Sequence, residues 1–417
     1  MDTEQQKEES TYQPGEVVDH QPWTPEDEET RRQERRHERG GWKGPPPHAE
    51  VILNESAPMM RFKPSARERG GWQTWAKHIA YGLSGILLFA FALGVMKTGA
   101  ATLTPFIRGR LDVNNTWDSL GLGWLMAWIV QSGSPVAALA MAMLSAKTLS
   151  ALQGFTMIAG SRLGASFVVL QLGFLYALQE EDRRKSLVTG VLSLLLTASI
   201  LIISIPLGIA LLKSGRFDHL QLPMLMHFGG IVGGGLDTLI APLEAILPGW
   251  LLFALGIALV VAGFKLFDMA LPDINIENTN FGQINRIVYR PPFMFLMGLL
   301  LTFITMSVSI SVGVLVPLSV RGYLRRENII AYIMGANVST FFDTLVAAVV
   351  LGETLGVTVV LVHMICAALV SLFIILFFYR QYESIISRAL GWIIRQMLNF
   401  AIFLGIAFII PFILMLL

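Results

Sequence analysis

From Ile79 to the C-terminus, apolar runs long enough to cross a bilayer follow one another, separated by short polar segments that carry most of the Lys and Arg. A helix needs about 20 apolar residues to span a hydrocarbon core of ~30 Å, and lipid offers no partner for a bare backbone amide, so such runs fold as spanning helices. Composition agrees: 53% of the 417 residues are hydrophobic and 15% charged, and mean hydropathy is +0.58, beyond the usual range of soluble domains. The chain is therefore expected to be an all-α polytopic membrane protein.

Ahead of these runs, residues 1–75 are rich in Glu, Arg, Gln, Pro and Gly, as in "EDEETRRQERRHERGGWKGPPPH". Such a segment buries too little apolar surface to order itself and reads as a disordered cytoplasmic tail. Its start, "MDTEQQKEES", has neither a basic region nor an apolar core, so no signal peptide is expected. The cluster Arg31, Arg32, Arg35, Arg36 and Arg39 suits anionic lipid or a cytosolic protein, although interleaved acids make a merely solvated run the plainer reading. The net charge of +1 gives no reason to expect nucleic acid, and the single cysteine, Cys366, excludes an internal disulfide.

Arg61, Lys63, Arg67, Arg69 and Lys77 precede the first run and place the N-terminus in the cytoplasm of a plasma or inner membrane. With that start, Arg183, Arg184 and Lys185, then Arg321, Arg325 and Arg326, and last Arg380, Arg388 and Arg395, all fall inside. The expected organisation is a first transmembrane repeat over 76–186, a connecting span and Gly-rich interfacial segment over 187–248, a second repeat over 249–351, and C-terminal transmembrane helices over 352–417.

The two repeats align without a gap. Gly160 in "MIAGSRLGASF" and Gly335 in "YIMGANVSTFF" stand 175 positions apart, as do Gln131 and Met306, so "QSGS" faces "MSVS". One unit begins inside and the other outside, which makes them inverted-topology repeats, an arrangement many secondary transporters use.

Within the first unit, "WIVQSGSPVAALAMAML" breaks an apolar run with Gln131, Ser132, Gly133, Ser134 and Pro135. Non-helical backbone at membrane depth persists only against protein or a watery cavity. Ser134 before Pro135 reads as an N-cap and first helical residue, so each repeat is expected to hold a re-entrant helical hairpin. The second half-helix aims free N–H groups and its dipole at the membrane centre, a site for an anion. Ser132 and Ser134 add hydroxyls, Gln131 a donor and an acceptor, and Gly133 room for approach. Ser307, Ser309 and Ser311 repeat the pattern, and the companion segments bring Ser161, Arg162 and Ser166 on one side and Asn337, Ser339 and Thr340 on the other.

These motifs resemble the type II sodium/phosphate cotransporter family, whose inverted units each carry Gln-Ser-Ser-Ser at a hairpin tip and a segment close to Gly-Ala-Asn-Ile-Gly-Thr. The likeness covers most of Ile79 to Val350, and is most specific at Gln131, Ser132, Ser134, Gly335, Ala336, Asn337 and Thr340. It implies uptake of inorganic phosphate with sodium as coupling ion and no other cofactor. By that resemblance these roles fall to Gln131, Ser132, Ser134, Ser307, Ser309, Asn337 and Thr340, with sodium at Gln131 and Asn337; the residues' own chemistry adds Gly133 and Arg162 to the phosphate set and Ser339 and Asp343 to the cation set. Gly133, Met306 and Val308 stand where the family has serine, glutamine and serine, and Arg162 where it has asparagine.

Arg162 and Asp343 are charges inside apolar spans, where one costs about 3 kcal/mol and usually pairs or lines a cavity. Arg162 is expected to face the central site, either replacing a bound sodium or gripping the anion, unless it only ties the halves together through Asp343. Three functions stay open: a sodium-coupled oxyanion carrier, a sodium-independent or proton-linked carrier with Arg162 as fixed cation, and a non-transporting anion sensor. An enzyme is not expected, since no His-Glu-x-x-His or Gly-x-Ser-x-Gly motif occurs.

Overall fold

The apolar runs fold as helices packed antiparallel to their neighbours. The computed structural model describes residues 72–109, 113–179, 183–217, 235, 236, 238–270, 290–305, 311 and 326–417, and no strand occurs among them. The helices are α1 (Trp72–Gly109), α2 (Thr116–Val130), α3 (Gly133–Ser145), α4 (Ala151–Gln179), α5 (Arg183–Lys213), α6 (Gly249–Ala270), α7 (Pro291–Thr305), α8 (Arg326–Ser339), α9 (Phe341–Val350), α10 (Thr354–Phe373), α11 (Tyr379–Arg395) and α12 (Met397–Leu414). Among the described residues, six stretches are long and apolar enough to cross a membrane: Ala76–Gly109, Gly190–Lys213, Gly249–Phe267, Asn328–Val350, Thr354–Arg395 and Met397–Leu414. The chain is thus an all-helical, multi-pass membrane protein by length and composition. The expected tail falls almost wholly outside the described residues, and α1 already begins at Trp72, inside the 1–75 segment assigned to that tail.

The apolar run around Gln131 is broken, and the second helix starts two residues earlier than the Ser-Pro pair implies. The Ser132 N–H reaches the Ala127 carbonyl and the Gln131 N–H the Trp128 carbonyl, with Gln131 left-handed at φ 57°. This double bond pattern closes α2 as a Schellman motif. Ser132, extended at φ −161°, is the N-cap of α3, and Gly133 its first residue. Pro135 therefore sits third, where its missing N–H is one of the donors a helix start leaves free in any case. The other end of α2 is fixed by a capping box: the Asn115 side chain accepts the Trp117 and Asp118 N–H groups, and the Asp118 carboxylate accepts those of Asn114 and Asn115.

Two helix pairs share one packing device. A side chain on Gly160 of α4 would overlap the Leu120 carbonyl of α2, and one on Gly123 would overlap the Met157 carbonyl. In the second pair, Gly335 of α8 meets the Phe295 carbonyl of α7, and Gly298 the Tyr332 carbonyl. Every residue in the first set stands 175 positions before its counterpart in the second. The bounds of α2 map onto those of α7 at the same interval, and the first residue of α4 maps onto that of α8. Helices α1 and α6 likewise approach backbone to backbone, antiparallel, with Gly99 against Phe253 and Gly256 against Met96. Close approach of this kind substitutes van der Waals contact for the hydrophobic drive that lipid removes.

Residues 238–246, within the segment read as interfacial, are helical, and Ile240 packs with Val95 and Leu252. The basic stretch after Phe378 is not a loop: α10 continues through a π-helical turn, Ile374–Phe378, into α11, an amphipathic helix. Ile386, Leu390 and Ile393 are buried along one face while Arg380, Arg388 and Arg395 are exposed, the spacing of a helix half in and half out of the protein.

Candidate functional site

Arg162 lies on α4 two residues beyond Gly160, so the close α2–α4 approach sets where its side chain departs. It is 7% exposed, and its Nη2 donates to Asp343 Oδ1 at 3.0 Å and to Thr344 Oγ1 at 2.7 Å. The Thr344 hydroxyl in turn donates to the same Oδ1 at 2.9 Å. The guanidinium carbon sits 5.0 Å from the centre of the Phe341 ring, within the range of a cation–π contact. Phe341 also meets His363, ring centres 4.4 Å apart, and His363 stacks in turn on Phe155 at 4.3 Å. Two polar atoms of the ion pair, Arg162 Nε and Asp343 Oδ2, are buried with no hydrogen-bond partner among the described residues.

Beside the guanidinium lies a cavity of about 50 Å³, room for a few water molecules or one small anion. Arg162, Ala165 and Ser166 of α4 line it opposite Asn337, Thr340 and Phe341, and each of the first three stands 175 residues before its partner. The remaining polar wall comes from Ser193 and Thr197 of α5 and Ser371 of α10. Ser166 donates to Thr197 Oγ1 at 2.8 Å and the Asn337 amide donates to the same oxygen at 3.0 Å. Thr340 donates back to the Asn337 carbonyl at 2.8 Å. The Ser371 hydroxyl is buried and has no partner among the described residues. One permanent cation, the five hydroxyls of Ser166, Ser193, Thr197, Thr340 and Ser371, and an amide thus line a space of anion size, a set that suits a tetrahedral oxyanion by bidentate and hydroxyl contacts.

Of the residues expected to bind substrate or ion, Arg162, Asn337 and Thr340 meet at this cavity. Asp343 and Ser339 sit behind it, in a tight hollow shared with Thr302, Phe303, Thr340 and Phe342. Ser132 and Ser134 are half-buried at the break of α2 and α3 and do not line the cavity. Gly133 is filled by its neighbour: a Cβ there would lie 2.7 Å from that of Ala165 and 2.8 Å from the Ser161 carbonyl oxygen. A serine at this position would collide with α4, which explains the glycine. Ser161 bonds only its own helix, to the Ile158 carbonyl at 2.7 Å.

Gln131 points elsewhere. Its left-handed backbone turns the side chain toward α4 and α12, where its amide donates to the Trp128 carbonyl and lies 3.4 Å from Gln171. That hollow is separate from the cavity and is walled by Phe167, Phe174, Leu404 and Phe408. Gln131 and Asn337 therefore do not face a common ion. Ser307 and Ser309, with Met306 and Val308, lie outside the described residues; Ser311 is buried and shares hydrogen bonds with Thr302 and Tyr332.

Sequence reading missed Ser193, Thr197 and Ser371. The signal for the first two was present: hydroxyls four apart share one face of a helix. Ser371 is a lone hydroxyl in an apolar run and offered none. No family model, curated protein or solved structure matches the chain.

Proposed function

We propose that the protein is a secondary carrier that moves phosphate or a similar oxyanion across the membrane by alternating access between two inverted halves, each with a re-entrant hairpin. One observation carries this reading: the buried Arg162 lines a small cavity in which Arg162, Ala165 and Ser166 meet the residues 175 positions on, Asn337, Thr340 and Phe341, beside hydroxyls of α5 and α10. The shared glycine contacts of α2–α4 and α7–α8, and the antiparallel contact of α1 with α6, support the inverted arrangement. The break at Gln131 and Ser132 supports the first hairpin. The motif likeness to the type II sodium/phosphate cotransporters points the same way, with the N-terminus cytoplasmic.

Coupling is where this chain departs from that family. Arg162 supplies a fixed positive charge in place of the family's asparagine, and Gln131 and Asn337 line different hollows. Both observations favour the sodium-independent form of the carrier, with Arg162 as the anion's counter-charge.

The test is phosphate counterflow in liposomes holding purified protein. Wild type is expected to exchange labelled phosphate. The double variant Arg162→Gln/Asp343→Asn removes both charges without orphaning either, and is expected to lose tenfold or more in apparent affinity, about what a charge-assisted contact contributes. Unchanged affinity in that variant would remove Arg162 from the site, and saturable binding without exchange would make the protein a sensor.

A further inference from the structure

We propose that the hollow between α4 and α12 is a lipid site, holding one acyl chain of a membrane glycerolipid with an ester carbonyl on the amide of Gln171. The hollow shares no lining residue with the Arg162 cavity, so this inference stands apart from the carrier reading and adds a second ligand to the molecule.

Two helix faces make the hollow. Phe167, Gln171 and Phe174 follow one another at helical spacing on α4, and Ala401, Leu404, Gly405 and Phe408 do so on α12, so each set shares one face of its helix. Aromatic contacts keep the two faces apart. Phe174 stacks on Phe400 at 6.1 Å, and the Trp128 ring meets both Phe167 at 4.6 Å and Phe408 at 4.9 Å. Small residues in membrane helices usually mark a close approach, as Gly160 and Gly335 do, yet a Cβ on Gly405 would meet nothing within 4 Å. The space so left is about 600 Å³, within the size range of pockets that enclose a whole organic ligand.

Hydrocarbon is what can fill it. An empty space this large would forfeit more free energy than a fold holds in reserve, and water does not settle in apolar hollows. Helix α12 is long and apolar enough to cross a membrane, yet 17% of that span is buried. Ile402, Ile406 and Ile413 are exposed along it, so lipid is the medium at the rim of the hollow.

Two amides in the otherwise apolar wall pick the class of lipid. Gln131 Nε2 donates to the Trp128 carbonyl and lies 3.4 Å from Gln171 Oε1. Gln131 Oε1 and Gln171 Nε2 have no partner among the described residues, and an unmet amide beside hydrocarbon is costly. An ester carbonyl at the head of an acyl chain accepts the Gln171 N–H while the chain lies along the phenylalanines. A bare hydrocarbon leaves that amide unmet. The carboxylate of a fatty acid sets a negative oxygen beside Gln131 Oε1, and no cationic side chain lines the hollow to answer it.

The experiment titrates delipidated protein in detergent with phosphatidylcholine whose acyl chains are brominated, since bromine quenches a nearby indole. Trp128 lies against both walls, and the quenching that Trp128→Phe loses separates it from the other tryptophans. Wild type is expected to show a saturable component of one lipid per chain. Gly405→Leu fills the hollow without collision, and is expected to weaken binding about tenfold or more at an unchanged melting temperature. Gln171→Leu is expected to weaken it about fivefold, the worth of one hydrogen bond. Should Gly405→Leu fail to fold, displacement of the brominated lipid from wild type by ordinary phosphatidylcholine reads the same site. Quenching that rises with lipid and never saturates, or that is unchanged in Gly405→Leu, overturns the site. Equal affinity for a brominated alkyl detergent without an ester, or for wild type and Gln171→Leu, overturns the ester assignment. None of these readouts depends on phosphate exchange, so the lipid site and the carrier fail separately.

Discussion

The helix pairs α2–α4 and α7–α8 are built alike and equipped differently. Both bring a glycine onto a neighbouring carbonyl at matching positions, so their backbones share a plan. Their side chains do not. The first pair continues into an unbroken α4 that carries Arg162; the second yields at Thr340, and the charge that answers Arg162 stands on α9, where the first half has Val168. The lesson is a division of labour by depth of chemistry. Contacts between backbones fix where a residue stands, and the side chains at those fixed places are free to take opposite signs.

Three experiments bear on that contrast. The largest effect is expected from Asp343→Ala, which strands a buried guanidinium and is predicted to cost about 3–5 kcal/mol, measured by thermal unfolding in detergent. Arg162→Met/Asp343→Leu in the same assay should return to within about 1 kcal/mol of wild type, because a buried pair replaced whole by apolar groups is close to neutral. A stable Asp343→Ala protein would mean that the two halves do not lean on this pair.

Next come Gly160→Ala and Gly335→Ala. Each forces a methyl onto a carbonyl, and each is expected to cost about 1–3 kcal/mol. Near-equal losses would sharpen the likeness between the pairs, and a large inequality in melting temperature would break it. The smallest effect concerns helix ends. Lys147 closes α3 at φ 58° where Gly352 closes α9 at φ 64°. Lys147→Gly should gain about 1 kcal/mol and Gly352→Ala should lose a similar amount, both read as shifts in melting temperature.

Much of the fold was legible because lipid enforces it. Runs without charge had to be helices, and α6 starts at Gly249, where the second repeat was expected to begin, with α10 two residues past the expected start of the C-terminal helices. The 175-residue register was readable because a glycine inside an apolar helix marks a close approach, and Gly160 and Gly335 are such marks. The cap at the broken run was misplaced because Ser134–Pro135 competes with Gly133, and backbone packing against Ser161 decided for the glycine. The amphipathic α11 was not singled out, although Ile386, Leu390 and Ile393 hold the helical spacing in plain view. At the site, Arg162 and Asn337 announced themselves by being polar where lipid forbids it. The direction of Gln131 did not, because a single left-handed residue turned its side chain away, and no linear pattern records that turn.

The glycine contacts carry a mechanical consequence. Helices that meet through side chains can slide a little by changing rotamers, whereas main chain pressed on main chain has no such slack. Each of the pairs α2–α4 and α7–α8 is therefore a stiff plank, and any large rearrangement of the bundle must be taken up outside the planks, foremost at the joint between α4 and α9 that Arg162 and Asp343 bridge.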